Sequence, residues 1–223
     1  MELPKYITFD CYGTLIDFEI NKVTLEILGS RAEQLADVTA FLSRYSRIRF
    51  EEAQGEYLPY SELLRVSTQK AWAEHGLEYR PEDGEAIVAA VPTWGPFPDT
   101  QTVLSRLAEH CKLVIISNAE DEMIAHNVAK IGVPFHAVIT AEQARSYKPQ
   151  HGPFLYALEK LGCEPADILH AANSYTYDII PCSELGWRRV WINRGGWPGD
   201  QAKHGPYDEF PDLNGLLTLL GLA

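Results

Sequence analysis

Five short runs of β-branched, aromatic and aliphatic residues punctuate the chain: Tyr6–Phe9, Leu113–Ile116, Ala137–Ile139, Ile168–Ala171 and Val190–Ile192. Each is too short for a helix, which predicts strands. Stretches with apolar residues at three- and four-residue spacing separate the last four, among them Glu122–Ile131 and Phe154–Leu161, and Thr100–Glu109 precedes them. Strand alternating with helix predicts an α/β protein built on a parallel sheet.

Between the first and second runs lie about a hundred residues with no strand pattern and with helical spacing in two segments. One holds Leu35, Val38, Phe41, Leu42 and Tyr45; the other holds Tyr60, Leu63, Leu64 and Ala71. The pattern predicts a helical subdomain at residues 17–94, inserted into a core made of residues 1–16 and 95–223. Its return is marked by Pro92, Pro96 and Pro98, which forbid a continuous helix, and Asp99 is placed to cap the helix that follows. The Gly- and Pro-rich stretch 195–211 reads as surface loop.

Charge narrows the function classes. Nineteen basic residues against thirty-one acidic ones give a net charge of −12 with no basic run, which argues against nucleic acid and anionic membranes as partners. A small anionic substrate would need a few locally placed donors. The start of the sequence has no signal-peptide pattern, and no window approaches the roughly 18 apolar residues of a membrane span, so a cytoplasmic location is expected. Cys11, Cys111, Cys163 and Cys182 are scattered and read as free thiols. The histidines, including His151 and His170, form no metal-like pattern and receive no chemical role.

Ligands of open α/β sheets bind beyond the carboxyl ends of the strands. Asp10-Cys11-Tyr12-Gly13-Thr14-Leu15 follows the first run and Ser117-Asn118 the second. Tyr147-Lys148-Pro149 lies past the third and Asn173-Ser174-Tyr175-Thr176-Tyr177-Asp178 past the fourth. Taken singly, each has a structural explanation, since Asp and Ser cap helices and Gly-Thr makes turns.

The set in this order resembles the four signature motifs of the haloacid dehalogenase superfamily, across nearly the whole chain. The resemblance implies a Rossmann-like, doubly wound parallel sheet with an inserted helical cap, and it implies that Asp10 is a covalent nucleophile. The chemistry is coherent, because a carboxylate ester can be hydrolysed after a displacement, dividing one difficult step into two. Lys148 would hold Asp10 ionised. Thr14, Ser117 and Asn118 would bind a substrate carboxylate or stabilise developing charge. Asp178 would pair with Lys148, orient the attacking water, or merely cap a helix.

Most superfamily members resemble Mg²⁺-dependent phosphatases, with a second Asp two residues after the nucleophile and another opening the fourth motif. Here those positions are Tyr12 and Asn173, which removes two acidic groups that a hard metal carrying a phosphate would want. A departing halide needs no general acid. Asp10-x-Tyr12-Gly13-Thr14 resembles the type II L-2-haloacid dehalogenase branch, which implies release of halide and a 2-hydroxy acid, with no cofactor and no metal. That branch shows a Ser-x-Asn pair opening the fourth motif and a Tyr six residues after the lysine, where this chain has Asn173-x-Tyr175 and Phe154; the resemblance implies that Tyr12, Asn173 and Tyr175 contact substrate, with a cap arginine. Arg44, Arg47 and Arg49 compete for that role, and Arg47 is favoured. The alternatives are a phosphatase using Mg²⁺ and a non-catalytic binding protein with the same fold; a mixed cap surface would also suit a homodimer.

Overall fold

The computed structural model describes residues 3–222; residues 1, 2 and 223, at the ends of the expected core, lie outside the described residues. Six strands form one sheet: β1 (Tyr6–Phe9), β2 (Lys112–Ser117), β3 (Ala137–Thr140), β4 (Ile168–Ala172), β5 (Arg188–Ile192) and β6 (Asp208–Phe210). They lie in the order β3-β2-β1-β4-β5-β6 and every neighbouring pair is parallel. The sheet is therefore the expected doubly wound α/β core. Its sixth strand falls inside the stretch expected to be loop. Asp208-Glu209-Phe210 carries no apolar run because this edge strand is largely exposed, so pairing with β5 and not periodicity makes it a strand.

Period-two alternation sorts the strand residues into two layers. Ile7, Phe9, Leu113, Ile115, Leu169, Ala171, Val190 and Ile192 belong to one apolar cluster; Tyr6, Val114, Ile116, Ile139 and Ile168 belong to the other, with Phe154 and Trp187. Burial on both faces explains why the strands read as continuous apolar runs.

Residues 17–94, between β1 and the helix that precedes β2, hold four α-helices: α1 (Ile20–Leu28), α2 (Val38–Ala53), α3 (Tyr60–Glu74) and α4 (Pro81–Ala90). Helix α2 packs on α3, α3 on α4 and α4 on α1, burying Phe41, Tyr45 and Ile48 against Leu64, Ala71 and Trp72. Asp37 caps α2 by accepting from the Ala40 N–H at 2.9 Å. Two crossing segments tether the bundle: the Asp17 N–H donates to Gly95 O at 2.9 Å and the Phe97 N–H to Leu15 O at 3.0 Å.

Asp99 does not cap the helix that follows it, α5 (Thr100–Ala108). Its carboxylate accepts from Arg194 Nη2 at 3.0 Å and from the Leu213 N–H at 2.8 Å, tying the tether to the far side of the sheet. An arginine from a distant strand end outcompetes the local amide. All four cysteines are free, and three of them are buried. No helix of the described residues is long and apolar enough to cross a membrane.

Candidate active site

Parallel strands bring their carboxyl ends to one edge, so four segments distant in sequence meet there. At their centre the Lys148 Nζ donates to Asp10 Oδ1 at 2.9 Å, to Asp178 Oδ1 at 2.6 Å and to the Ile116 carbonyl at 2.9 Å. All three of its donors are used. The lysine is 1% exposed, and Asp10 and Asp178 are also buried. Asn118 fixes its backbone: Asn118 Oδ1 accepts from the Lys148 N–H at 2.8 Å, and Asn118 Nδ2 donates to Lys148 O at 2.9 Å. The Asn118 side chain thus positions the lysine.

The Asp10 turn is built by its own motif. Gly13 adopts φ 86°, a conformation that side chains rarely adopt, and its position brings the chain close to Asn173. Thr14 Oγ1 donates to Asp10 Oδ2 at 2.8 Å and accepts from the Asn173 N–H at 2.8 Å. Thr14 is therefore committed to holding the Asp10 carboxylate. Asp178 sits in a π-helical turn, Tyr175–Ile179, whose cap is Ser174 accepting from the Tyr177 N–H at 3.1 Å. That frees Asp178 from the capping role and turns it toward Lys148. Its Oδ1 also receives His170 Nε2 at 3.0 Å, while Oδ2 is buried without a hydrogen-bond partner.

Burial raises the Asp10 carboxyl above its usual range, with the Lys148 ammonium opposing the shift. Burial acts the same way on Asp178, but Lys148 and His170 outweigh it and hold that carboxyl below its usual value. Lys148 itself, although burial favours its neutral form, is pushed up by the two carboxylates and stays protonated. One cation is thus shared unequally between two acids, leaving Asp10 the more basic carboxylate.

A chamber of about 130 Å³ opens over Asp10 between sheet and helical insert. Tyr12, Phe18, Tyr60 and Leu63 form an aromatic and apolar wall, and Ser117 and Asn118 line the sheet side. Tyr12 turns its hydroxyl away to Asn127 Oδ1 at 2.9 Å, so its ring faces the chamber. Burial pushes its phenol far above the usual range, which keeps it neutral.

Arg49 of α2 also lines this chamber, and Arg47 does not. Arg47 is 75% exposed and pairs with Glu51, while Arg44 pairs with Glu51 and Glu74 on the surface of the insert. Arg49 is 9% exposed and lies over the rings of Tyr45 and Phe18. It has no hydrogen bond or ion pair among the described residues. Helical phase explains the correction: Arg49 follows the buried Tyr45 by four residues and shares its face, whereas Arg47 falls on the opposite side. Asn173 and Tyr175 also lie outside the chamber. Asn173 Oδ1 accepts from the Arg194 N–H, and the Tyr175 hydroxyl binds Asp200 in an outer groove. Three residues lining the chamber carry a buried side-chain polar atom without a partner: Arg49 Nε, Ser117 Oγ and Asp178 Oδ2.

This donor set does not fit Mg²⁺. Lys148 and Thr14 engage both oxygens of Asp10, Lys148 and His170 engage one of Asp178, and the neutral Tyr12 and Asn173 side chains are turned to other partners, so Asp178 Oδ2 is the one carboxylate oxygen of this pair left for a cation that wants several.

The sequence model of the haloacid dehalogenase-like hydrolases matches residues 4–186. Haloacetate dehalogenase H-2 of a Moraxella species is 27% identical over the full length of both chains. An (S)-2-haloacid dehalogenase of Xanthobacter autotrophicus is 28% identical over 85% of this chain and 75% of its own. An L-2-haloacid dehalogenase of known structure superposes with a TM-score of 0.86 at 20% identity, covering 99% of this chain and all of that one.

Proposed function

The chain belongs to the haloacid dehalogenase-like hydrolases, and within that family we propose that it displaces halide from a small 2-haloalkanoic acid through an ester on Asp10. The observation that carries this reading is the unpaired Arg49 guanidinium sharing an aromatic-walled chamber with Asp10. A buried cation without a partner is costly, and a substrate carboxylate supplies the missing anion. Ser117 Oγ offers a second donor to the same group. The rings and Leu63 surround the carbon and halogen, where no proton donor is needed because halide departs as a stable anion.

In the first step an Asp10 oxygen attacks the carbon bearing halogen from the rear. The new C–O bond forms as the C–halogen bond breaks with its electron pair, inverting the carbon. In the second, water adds to the Asp10 carbonyl carbon, and the Lys148 ammonium stabilises the oxyanion. Asp178 Oδ2 accepts the water's hydrogen bond and then its proton, which passes to the departing alkoxide. The products are the 2-hydroxy acid and Asp10 as its carboxylic acid, which releases the second proton of the water to solvent and so regains the carboxylate for the next turnover, with no metal or cofactor taking part. Residues 17–94 act as a cap that excludes water during the displacement. A cytoplasmic enzyme, single or homodimeric, with no nucleic acid or membrane partner suits the acidic composition.

The test is single-turnover reaction with chloroacetate and 2-chloropropionate in heavy-oxygen water with EDTA present. Halide release with heavy oxygen in the Asp10 peptide is expected. No halide, with activity toward phosphate esters appearing only on addition of Mg²⁺, would replace the proposal with the phosphatase reading.

Two further outcomes follow from the geometry. Arg49→Met keeps the packing against Tyr45 but removes the charged donors, so kcat/KM should fall about 10- to 100-fold, mostly through KM. Arg47→Ala should change it by less than about twofold; equal losses in the two variants would remove Arg49 from the substrate site. Because only ionised Asp10 attacks and burial raises its carboxyl, kcat/KM should decline on acidification at a pH above the ordinary Asp value of about 3.9. A pH profile still flat at pH 4 would contradict that environment.

A further inference from the structure

We infer that His170 is a positioning residue for the second half of the reaction: it fixes Asp178 so that Oδ2 faces the ester, and Thr8 fixes His170 in turn. The inference rests on the ester mechanism proposed above.

His170 lies in β4, paired in register with Thr8 of β1, and both are fully buried in the layer beneath Asp10. An imidazole in that layer leaves two polar nitrogens away from water, a cost that an aliphatic residue would avoid. Both nitrogens have partners. Thr8 Oγ1 is 2.8 Å from Nδ1, and Asp178 Oδ1 is 3.0 Å from Nε2. Beside a carboxylate, Nε2 carries the proton and donates, so in the neutral ring Nδ1 accepts from the Thr8 hydroxyl. The rings of Phe154 and Trp187 meet the imidazole edge-on, with centroids at 5.6 and 6.3 Å, and prevent it from turning.

The consequence concerns one carboxylate. Lys148 alone would leave Asp178 free to rotate and share either oxygen with the ammonium. With His170 on the same Oδ1, that oxygen takes both donors, and Oδ2 is left buried without a partner in a residue that lines the chamber. A partnerless buried acceptor beside the nucleophile is the group that attacking water needs. Asp10 does not touch His170, so displacement of halide does not depend on it.

The experiment follows the first-turnover burst of halide, the steady-state rate and the Asp10 ester mass with chloroacetate, in wild type, His170→Phe, His170→Gln and Thr8→Val. For His170→Phe the burst is expected to stay within about threefold of wild type while steady turnover falls about 10- to 100-fold and ester accumulates. His170→Gln, whose amide can donate to Oδ1 and accept from Thr8, should recover much of the loss, and Thr8→Val should show the same partition more weakly. Burst and steady rates falling together, or no loss in any folded variant, overturn the inference while the ester route stands. If His170→Phe does not fold, the Gln and Val variants carry the same two outcomes. A wild type that releases no halide overturns the ester route, and this inference with it.

Discussion

Asp10→Asn should abolish sustained halide release, lowering kcat/KM by about 10⁴-fold or more, with the folded state at least as stable as before. The activity loss is large because an amide oxygen is a poor nucleophile and no other free carboxylate at the chamber could replace it: Asp178 is held by Lys148 and His170. The unaltered stability follows from the same geometry. The amide oxygen can go on accepting from Lys148 while its NH2 donates to the Thr14 hydroxyl oxygen, and Lys148 keeps Asp178 as an ion-pair partner. What is removed is a carboxylate whose burial opposes its ionisation. Halide assay and thermal unfolding on one preparation check both halves. Retention of activity within about tenfold would mean that water, and not Asp10, attacks carbon.

The second large effect is on stability. Lys148→Met should destabilise the fold by about 3–5 kcal/mol near neutral pH and also remove turnover, because it leaves two buried carboxylates without their shared cation. The pH dependence has a definite sign. Without Lys148 the carboxyls of Asp10 and Asp178 rise above their unfolded values, so the folded state binds protons more tightly than the unfolded one. Stability is then recovered on acidification and lost as pH rises through the raised values. Urea unfolding at pH 5 and pH 8 should show the smaller deficit at pH 5. Adding Asp178→Asn to Lys148→Met should recover part of the deficit, since one uncompensated charge is removed. A deficit equal at both pH values would show that the loss comes from packing and not from charge.

Much of the architecture was legible along the chain. Runs of apolar residues buried on both faces marked five strands, and period-3.6 spacing marked the helices of the insert, because local pattern and final burial agree there. The edge strand Asp208–Phe210 had no such pattern, since one neighbour and little burial suffice to make it. Asp10, Lys148 and Asp178 stood out as acids and a base past strand ends, and the structure joins them through one ammonium. Their joint appearance in motif order carried that reading, where each alone suited a cap or a turn.

Side-chain direction was not legible. Arg44, Arg47 and Arg49 occupy one helical turn and a half, and only the phase of α2 against α3 and the sheet decides which of them faces Asp10. Asn173 and Tyr175 sit near Asp178 in sequence, yet both line an outer groove while Asp178, in the π-helical turn, turns inward to Lys148. His170 carried no signal as a single polar residue in an apolar strand; its meaning lies in the register that sets it against Thr8. Composition and periodicity fix which residues are buried, because burial follows the local pattern of hydrophobicity. Which polar atoms find partners, and which are left free at the chamber, depends on pairings between strands over a hundred residues apart, and only the tertiary structure decides those.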